Sequence, residues 1–235
     1  MNTILKDVNV AAVAELIGDS SRAAMLNALM GKQALPAGEL AALAGISPQT
    51  ASTHLAKLVE GGLLVLDSQG RHRYYALASA DVAHALEALA VIAPPARVRS
   101  LRESLVTEQL HCARTCYDHL AGKLGVELTQ ALLDSGMLCR EEQEKSYYVT
   151  EQGQNFLTNF GIDLAKVQRQ RRAFTLACLD WSERRYHLAG ALGAALTERL
   201  FQLAWIEKRP SGRAVQLTQT GLEGLTSAFG DHFRL

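Results

Sequence analysis

The chain carries no surplus of charge: 24 Lys and Arg offset 24 Asp and Glu over 235 residues. That balance excludes a broadly basic coat or an acidic tail as the basis of binding. No run of about 18 apolar residues occurs, so no membrane-spanning helix is expected. No basic stretch followed by an apolar run opens the chain, so no signal peptide is expected. Cysteine is scarce, with four in all, too few for a disulfide framework at this length. A reducing cytoplasm is the expected compartment. Nucleophile motifs, phosphate-cradling glycine loops and closely spaced acid pairs are also missing, which argues against an enzyme.

Residues 46–77 hold the strongest positive signal. Ser47 is a helix-capping residue, and Pro48 suits a first turn where no backbone donor is needed. Ala51, Leu55, Leu58, Val59 and Gly62 recur at helical spacing and form one apolar face. Gln49, Thr53 and Lys57 fall opposite, with Thr50 and Ser52 on the flanks. Gln reads an adenine edge, Ser and Thr read bases or hold phosphate, and Lys neutralises phosphate. A short helix, Pro36 to Ala44, precedes this one and is closed by Gly45. Leu63 to Leu66 and Tyr74 to Leu77 read as two strands around the turn Asp67-Ser68-Gln69-Gly70. Arg71 and Arg73 flank the hairpin tip, within reach of phosphate or a minor groove.

Helix, turn, helix and hairpin in this order predict a winged helix-turn-helix that enters a major groove of double-stranded DNA. The expected DNA-binding residues are Ser47, Gln49, Thr50, Ser52, Thr53, His54, Lys57, Arg71 and Arg73. One count runs the other way. Residues 1–96 hold six Lys or Arg against eight Asp or Glu, a net of −2. Affinity for phosphate must then come from a few placed cations, doubled in a dimer.

The stretch from about Val13 to Ala93 resembles the ArsR/SmtB-type family of bacterial repressors. The carriers are Asp19-Ser20-Ser21-Arg22-Ala23-Ala24-Met25-Leu26, the Ser47 to Leu58 helix, Gly61-Gly62-Leu63-Leu64 and Gly70-Arg71-His72-Arg73-Tyr74-Tyr75. The resemblance implies a homodimer joined through the first and last helices of the domain. It also implies a repressor that leaves its operator when an inducer binds. The family's usual metal motifs do not carry over. Glu39 to Ala44 lacks a Cys pair, and no His follows Asp81 and His84 in Ala85 to Ala93.

Ala93-Pro94-Pro95-Ala96 marks the expected boundary between a domain of residues 1–96 and an effector or assembly domain of residues 97–235. Beyond it, Arg97 to about Gly122 reads as one long helix. The second half also repeats itself. His119-Leu120-Ala121-Gly122, Leu124-Gly125 and Leu128-Thr129 reappear 68 residues later as His187-Leu188-Ala189-Gly190, Leu192-Gly193 and Leu196-Thr197. Residues 119–153 share 11 identities with their mates at this offset, where chance gives roughly two or three. Each copy, about 119–161 and 187–229, reads as helix, hairpin, helix, the second hairpin turning at Pro210-Ser211-Gly212. The expected fold is therefore mainly α with small β-hairpin wings (α+β). It comprises an N-terminal winged helix-turn-helix and two winged-helix-like repeats with a ligand-accepting cleft between them.

Two constellations stand out in this half. Cys112, Cys116 and His119 are spaced i, i+4, i+7, one face of a helix that also carries Leu101 and Leu105. Thiolates and imidazole suit a thiophilic metal or metalloid such as zinc, cadmium or arsenite. The same face also reads as a buried stripe with Cys acting as a small hydrophobe, or as redox thiols or an organic-ligand contact. Asp180, Glu183, Arg184 and His187 share a second helical face near Cys178. They read either as an exposed charged face or as effector ligands, with Cys178, Asp180 and His187 completing a site with Cys112, Cys116 and His119. An organic inducer would instead use Trp181, Tyr117 and Trp205. Lys166 to Arg172 reads as a solvated helix surface or an extra phosphate contact.

Overall fold

The computed structural model describes residues 8–31, 34–69, 72–94, 100–141, 143–209 and 212–235. Its contacts divide the chain into two compact units, Met1–Leu86 and Glu87–Leu235. The expected boundary at Ala96 lies outside the described residues; the observed division falls earlier, inside a helix. Glu87 is buried and accepts a hydrogen bond from Arg213, which ties the end of that helix to the second unit.

The first unit runs α1 (Val10–Ile17), α2 (Ser20–Ala28), a 3-10 turn (Leu29–Gly31), β1 (Leu35–Pro36), α3 (Ala37–Ala44), α4 (Pro48–Glu60), β2 (Leu64–Gln69), β3 (His72–Leu77) and α5 (Ala80–Ile92), which continues into the second unit. The local signals explain most of these bounds. Asp19 caps α2 by accepting from the Ser21 and Arg22 amides, and Ser47 caps α4 by accepting from Thr50. Gly45 ends α3 at φ 66, a left-handed conformation that costs glycine nothing sterically. Met25, Leu26, Leu40, Leu55 and Leu58 have no exposure and hold α2, α3 and α4 together. β2 and β3 pair antiparallel, with Leu64 opposite Leu77 and Ser68 opposite Arg73. These strands extend through Asp67 and Ser68, which the sequence placed in the turn. β1 adds an edge through Leu35 and Tyr75, and its Pro36 is compatible with an edge strand.

The second unit runs α6 (Leu101–Cys112), β4 (Arg114–Cys116), β5 (His119–Ala121), α7 (Gly122–Asp134), β6 (Leu138–Cys139), β7 (Tyr148–Val149), α8 (Glu151–Asn159), α9 (Leu164–Gln168), β8 (Leu176–Leu179), β9 (Tyr186–Ala189), α10 (Gly190–Gln202), β10 (Ile206–Lys208), β11 (Val215–Leu217) and α11 (Gln219–Phe229). Every strand pair here is an antiparallel hairpin. The order hairpin, helix, hairpin, helix occurs twice, each time with a leading hairpin that the sequence did not reveal. The expected helix from Arg97 to Gly122 stops at Cys112. Ala113 turns to φ −158, ψ 137, and its carbonyl accepts from Val215 while the Thr115 amide donates to Arg213. Distant chain, not local propensity, draws Arg114–Cys116 into a strand.

Positions 68 apart make matching bonds. The Leu120 amide donates to Thr197 Oγ1 at 2.8 Å, and the Leu188 amide donates to Thr129 Oγ1 at 2.8 Å. Each threonine hydroxyl in turn donates to the glycine carbonyl four residues earlier, Gly125 or Gly193, at 2.8 Å. A side chain is impossible at those glycines without movement: a Cβ would lie 2.5 Å from the Leu120 or Leu188 carbonyl oxygen. Leu124, Leu128 and Leu132 on α7 and Leu192, Leu196 and Leu200 on α10 are all buried in one core.

Candidate functional site

On the first unit the site is a helix face and a wing. Gln49, Thr50, Ser52, Thr53 and Lys57 are all exposed on α4, while Ala51, Leu55 and Leu58 on its other side are buried. Ser47 Oγ and Thr50 Oγ1 are 2.9 Å apart, and the Thr53 hydroxyl donates to the Gln49 carbonyl at 3.3 Å. Arg73 is exposed on β3. Arg71 lies outside the described residues, as does Gly70. His54 departs from the expected surface. Its Nδ1 is 3.1 Å from Arg22 Nη1 and its Nε2 is 3.9 Å from Asp19. Arg22 is itself buried and donates to the carbonyls of Leu16 and Glu15 at 2.6 and 2.8 Å. The Asp19 to Arg22 motif thus locks α1, α2 and α4 together, and His54 belongs to that lock.

On the second unit two hairpins meet around four soft donors. In β4–β5, Cys116 is the register partner of His119; in β8–β9, Cys178 is the partner of His187. Residues directly opposite in a hairpin present their side chains on one face. The Cys116 and Cys178 sulfurs are 4.0 Å apart and the His119 and His187 Nε2 atoms 3.2 Å apart. All four donor atoms lie within 4.8 Å of one another. Cys116, His119 and His187 have no solvent exposure, so the expected open cleft is here a packed seam.

A carboxylate stands behind each imidazole. His119 Nδ1 is 3.5 Å from Asp118, which is gripped by both Arg172 Nη atoms at 2.5 and 3.3 Å. His187 Nδ1 is 3.5 Å from Asp180. Asp180 accepts from Arg114 at 2.9 Å, the Gly122 amide at 2.8 Å, the Ser182 hydroxyl at 2.7 Å and the amides of Ser182 and Glu183 at 2.9 and 3.0 Å. Burial raises the Asp180 carboxyl, but Arg114 and these donors overcome it and hold the group well below the usual carboxylate range. Asp118 is lowered in the same way, its burial outweighed by bonds to His119 and Arg172. The Cys116 thiol beside Cys178 favours the Cys178 thiolate, and His119 and His187 reinforce it against burial. Cys116 is pushed up correspondingly by its bond to Cys178 and by burial. Burial lowers His119, yet Asp118 and Cys178 leave it raised on balance.

Three expectations are corrected by this geometry. Cys112 ends α6, exposed, apart from the cluster; with Leu105, Leu124, Arg209 and Leu217 it lines a separate cavity of about 340 Å³. The presumed apolar stripe is absent too, since Leu101 is 86% exposed and Leu105 58%. Asp180 through His187 is not a helix either. Asp180 receives the Ser182 and Glu183 amides, an Asx turn that competes with helix, and Arg184 follows at φ 56. Asp180 serves as a carboxylate support, with both oxygens occupied. Cys139 lies on β6 and is exposed. Lys166, Arg169 and Arg171 are exposed, whereas Arg172 is committed to Asp118. Trp181 packs beneath Arg114 at 4.3 Å, and Trp205 packs at 5.3 Å against Phe160. The Cys116–Cys178 relation escaped the sequence because these two are not 68 apart; only the histidines are.

A helix-turn-helix domain family matches residues 17–67. The uncharacterized HTH-type transcriptional regulator YdfF of Bacillus subtilis (strain 168) is 48% identical over 213 residues, 91% of this chain and 93% of that protein. This match is longer than either unit and so spans both. Among solved structures, the homodimeric winged helix-turn-helix DNA-binding domain of a possible ArsR-family regulator from Mycobacterium bovis is 29% identical. It covers 35% of this chain and 76% of that one, with a TM-score of 0.33. The cadmium metal-sensor CMTR from Mycobacterium tuberculosis is 32% identical over 39% of this chain and 96% of that one, with a TM-score of 0.31. Sharing nine-tenths of its length at 48% identity with one such regulator, and matching a helix-turn-helix domain over residues 17–67, the chain belongs to the HTH-type transcriptional regulators.

Proposed function

We propose that the protein is a dimeric, cytoplasmic repressor that binds operator DNA through α4 and the β2–β3 wing and is released by an inducer held in the second unit. Gln49, Thr50, Ser52 and Thr53 contact bases or phosphate, Ser47 presents the helix start, and Lys57, Arg71 and Arg73 neutralise phosphate. The observation that carries this reading is the one-sided polarity of α4, polar and exposed on one face and buried on the other. Support for a dimer comes from α1, which buries no residue and exposes Val10 and Val13, and from α5, which exposes Leu89 and Ile92. A second copy would cover these faces.

The inducer class proposed is a thiophilic metal or metalloid, supported by the buried cluster of Cys116, His119, Cys178 and His187. Its binding must favour the conformation with low DNA affinity. The two winged-helix-like repeats proposed for this unit would move against each other across that cluster. The cavity beside Cys112 favours an organic inducer as the second reading.

Footprinting on the protein's own promoter region tests the DNA assignment. Gln49→Ala with Thr53→Ala should abolish protection while the circular dichroism spectrum stays native. An unchanged footprint rejects the assignment. Cys116→Ser with Cys178→Ser then separates the inducers, because a lost response to metal supports the cluster, whereas release by an organic ligand that survives both substitutions supports the cavity.

A further inference from the structure

We infer that Cys116, His119, Cys178 and His187 form a closed tetrahedral site for one divalent d10 cation, zinc or cadmium, and not for a trivalent metalloid. This rests on, and sharpens, the reading of the second unit as the effector part.

Three observations carry it. The first is distance. Bond lengths of about 2.3 Å to sulfur and about 2.0–2.1 Å to nitrogen put tetrahedral S···S at about 3.8 Å and N···N at about 3.3 Å. The observed separations are 4.0 and 3.2 Å, and all four donor atoms lie within 4.8 Å of one another, so a cation fits once the wider sulfur–nitrogen pairs close in around it. The second is the direction of the imidazoles. Both Nδ1 atoms face carboxylates at 3.5 Å, and both Nε2 atoms face each other across the seam. The two Nε2 atoms thus converge at 3.2 Å in a space without solvent, where a cation would take both as ligands. A carboxylate bonded to a metal-bound histidine fixes the tautomer and the ring, as Asp118 is placed to do for His119, while Asp180 lies beside His187 without a hydrogen bond to it.

The third is charge. Asp118 is balanced by Arg172 and Asp180 by Arg114. Two thiolates then leave −2 in a buried space, which a dication neutralises and a monovalent ion does not. A trivalent metalloid forms three bonds to thiolates. The cluster holds two, and Cys112 and Cys139 are both exposed outside it. Two imidazoles and two thiolates are instead a donor set suited to zinc or cadmium. Since each hairpin supplies one sulfur and one nitrogen, the cation would cross-link β4–β5 to β8–β9.

The test is titration of the reduced, full-length protein with Co²⁺, followed by competition with Zn²⁺, Cd²⁺ and arsenite. One Co²⁺ per chain is expected, with tetrahedral d–d bands and thiolate-to-cobalt charge transfer. Zn²⁺ and Cd²⁺ should erase both signals, and tenfold excess arsenite should leave them. Cys112→Ser should bind as wild type; Cys116→Ser or Cys178→Ser should weaken the charge transfer. Should those variants fail to fold, Asp118→Asn keeps all four ligands and should weaken Co²⁺ binding by about 10–100-fold through the lost support for His119. Octahedral spectra, no uptake by folded protein, displacement by arsenite, loss of binding in Cys112→Ser, or wild-type affinity in Asp118→Asn each overturn the assignment. Operator affinity is read separately. Tight, ligand-specific Co²⁺ and Zn²⁺ binding with unchanged operator affinity would sink the inducer reading and leave the site standing. A metal response that persists without Cys116 and Cys178 would do the reverse.

Discussion

Arg22 shows how much of the DNA-binding unit depends on one buried cation. Its guanidinium satisfies two carbonyls at the end of α1 and meets His54 on α4. Arg22→Ala leaves those acceptors without their donor, and hydrogen bonds to charged groups are worth about 1.5–3 kcal/mol each way of counting. We expect a loss of about 2–3 kcal/mol in urea unfolding, together with faster amide exchange in α1. Wild-type stability would show that α1 is held by something else. His119 and Asp118 set a pH dependence with opposite signs. His119 is raised, so in the metal-free protein its contribution is complete below about pH 6.5 and is lost as pH rises through its folded value. Asp118 is lowered, so its contribution is complete above about pH 3.9 and is lost as pH falls through its folded value. These two contributions together peak in mildly acidic buffer, whereas the lowered Cys178 thiol adds stability as pH rises towards its ordinary range. A bound dication takes the place of the imidazole and thiol protons, so Zn²⁺ should move the optimum to higher pH and be released on acidification. Identical thermal midpoint profiles with and without Zn²⁺ would contradict this.

At the scale of elements, the reciprocal threonine bonds make the two leading hairpins interdependent. Thr129→Val and Thr197→Val keep the volume but strand a buried amide, that of Leu188 or of Leu120, at a cost of about 1–3 kcal/mol each. Gly193→Ala must push its methyl against the Leu188 carbonyl and should cost about 1–3 kcal/mol. Chemical denaturation of the three variants checks both, and a neutral Gly193→Ala would mean that α10 shifts freely over β9. The same elements show where sequence reading succeeds. The cap Ser47, the turn glycine Gly45 and the alternating faces of α4 are written within a few residues of where they act, so the recognition helix was legible. The 68-residue offset exposed both histidines. The strands β4, β5, β8 and β9 were not legible. β4 takes its direction from Arg213 and Val215, about a hundred residues onward, and helical arithmetic on Cys112, Cys116 and His119 named two members of the buried cluster but on an incorrect element. Cys178 came to the site by register opposite His187, a relation that only pairing reveals.

At the scale of the whole molecule, the scarcity of cations constrains how DNA is held. Among described residues of the first unit, the exposed Lys and Arg are Lys57 and Arg73, since Arg22 is buried. Lys6, Lys32 and Arg71 lie outside the described residues; taking Arg71 as the second wing cation gives three expected phosphate contacts per chain and six in a dimer. Each neutralised phosphate contributes about −0.9 to the slope of log affinity against log salt, so a dimer using four to six should show a slope of about −4 to −5. Base-edge contacts from Gln49 and Thr53 must then supply much of the discrimination, and non-specific affinity should be low. The second unit offers Lys166, Arg169 and Arg171 on an exposed segment. If they touch DNA, the slope steepens well beyond −5, and Arg169→Ala with Arg171→Ala, which removes four cations from the dimer, brings it back by up to about 3.6. Fluorescence anisotropy on one operator fragment across a salt series decides between these cases. A slope near −4 to −5 that ignores the double variant confines phosphate contact to α4 and the wing, and leaves the second unit free to answer the inducer.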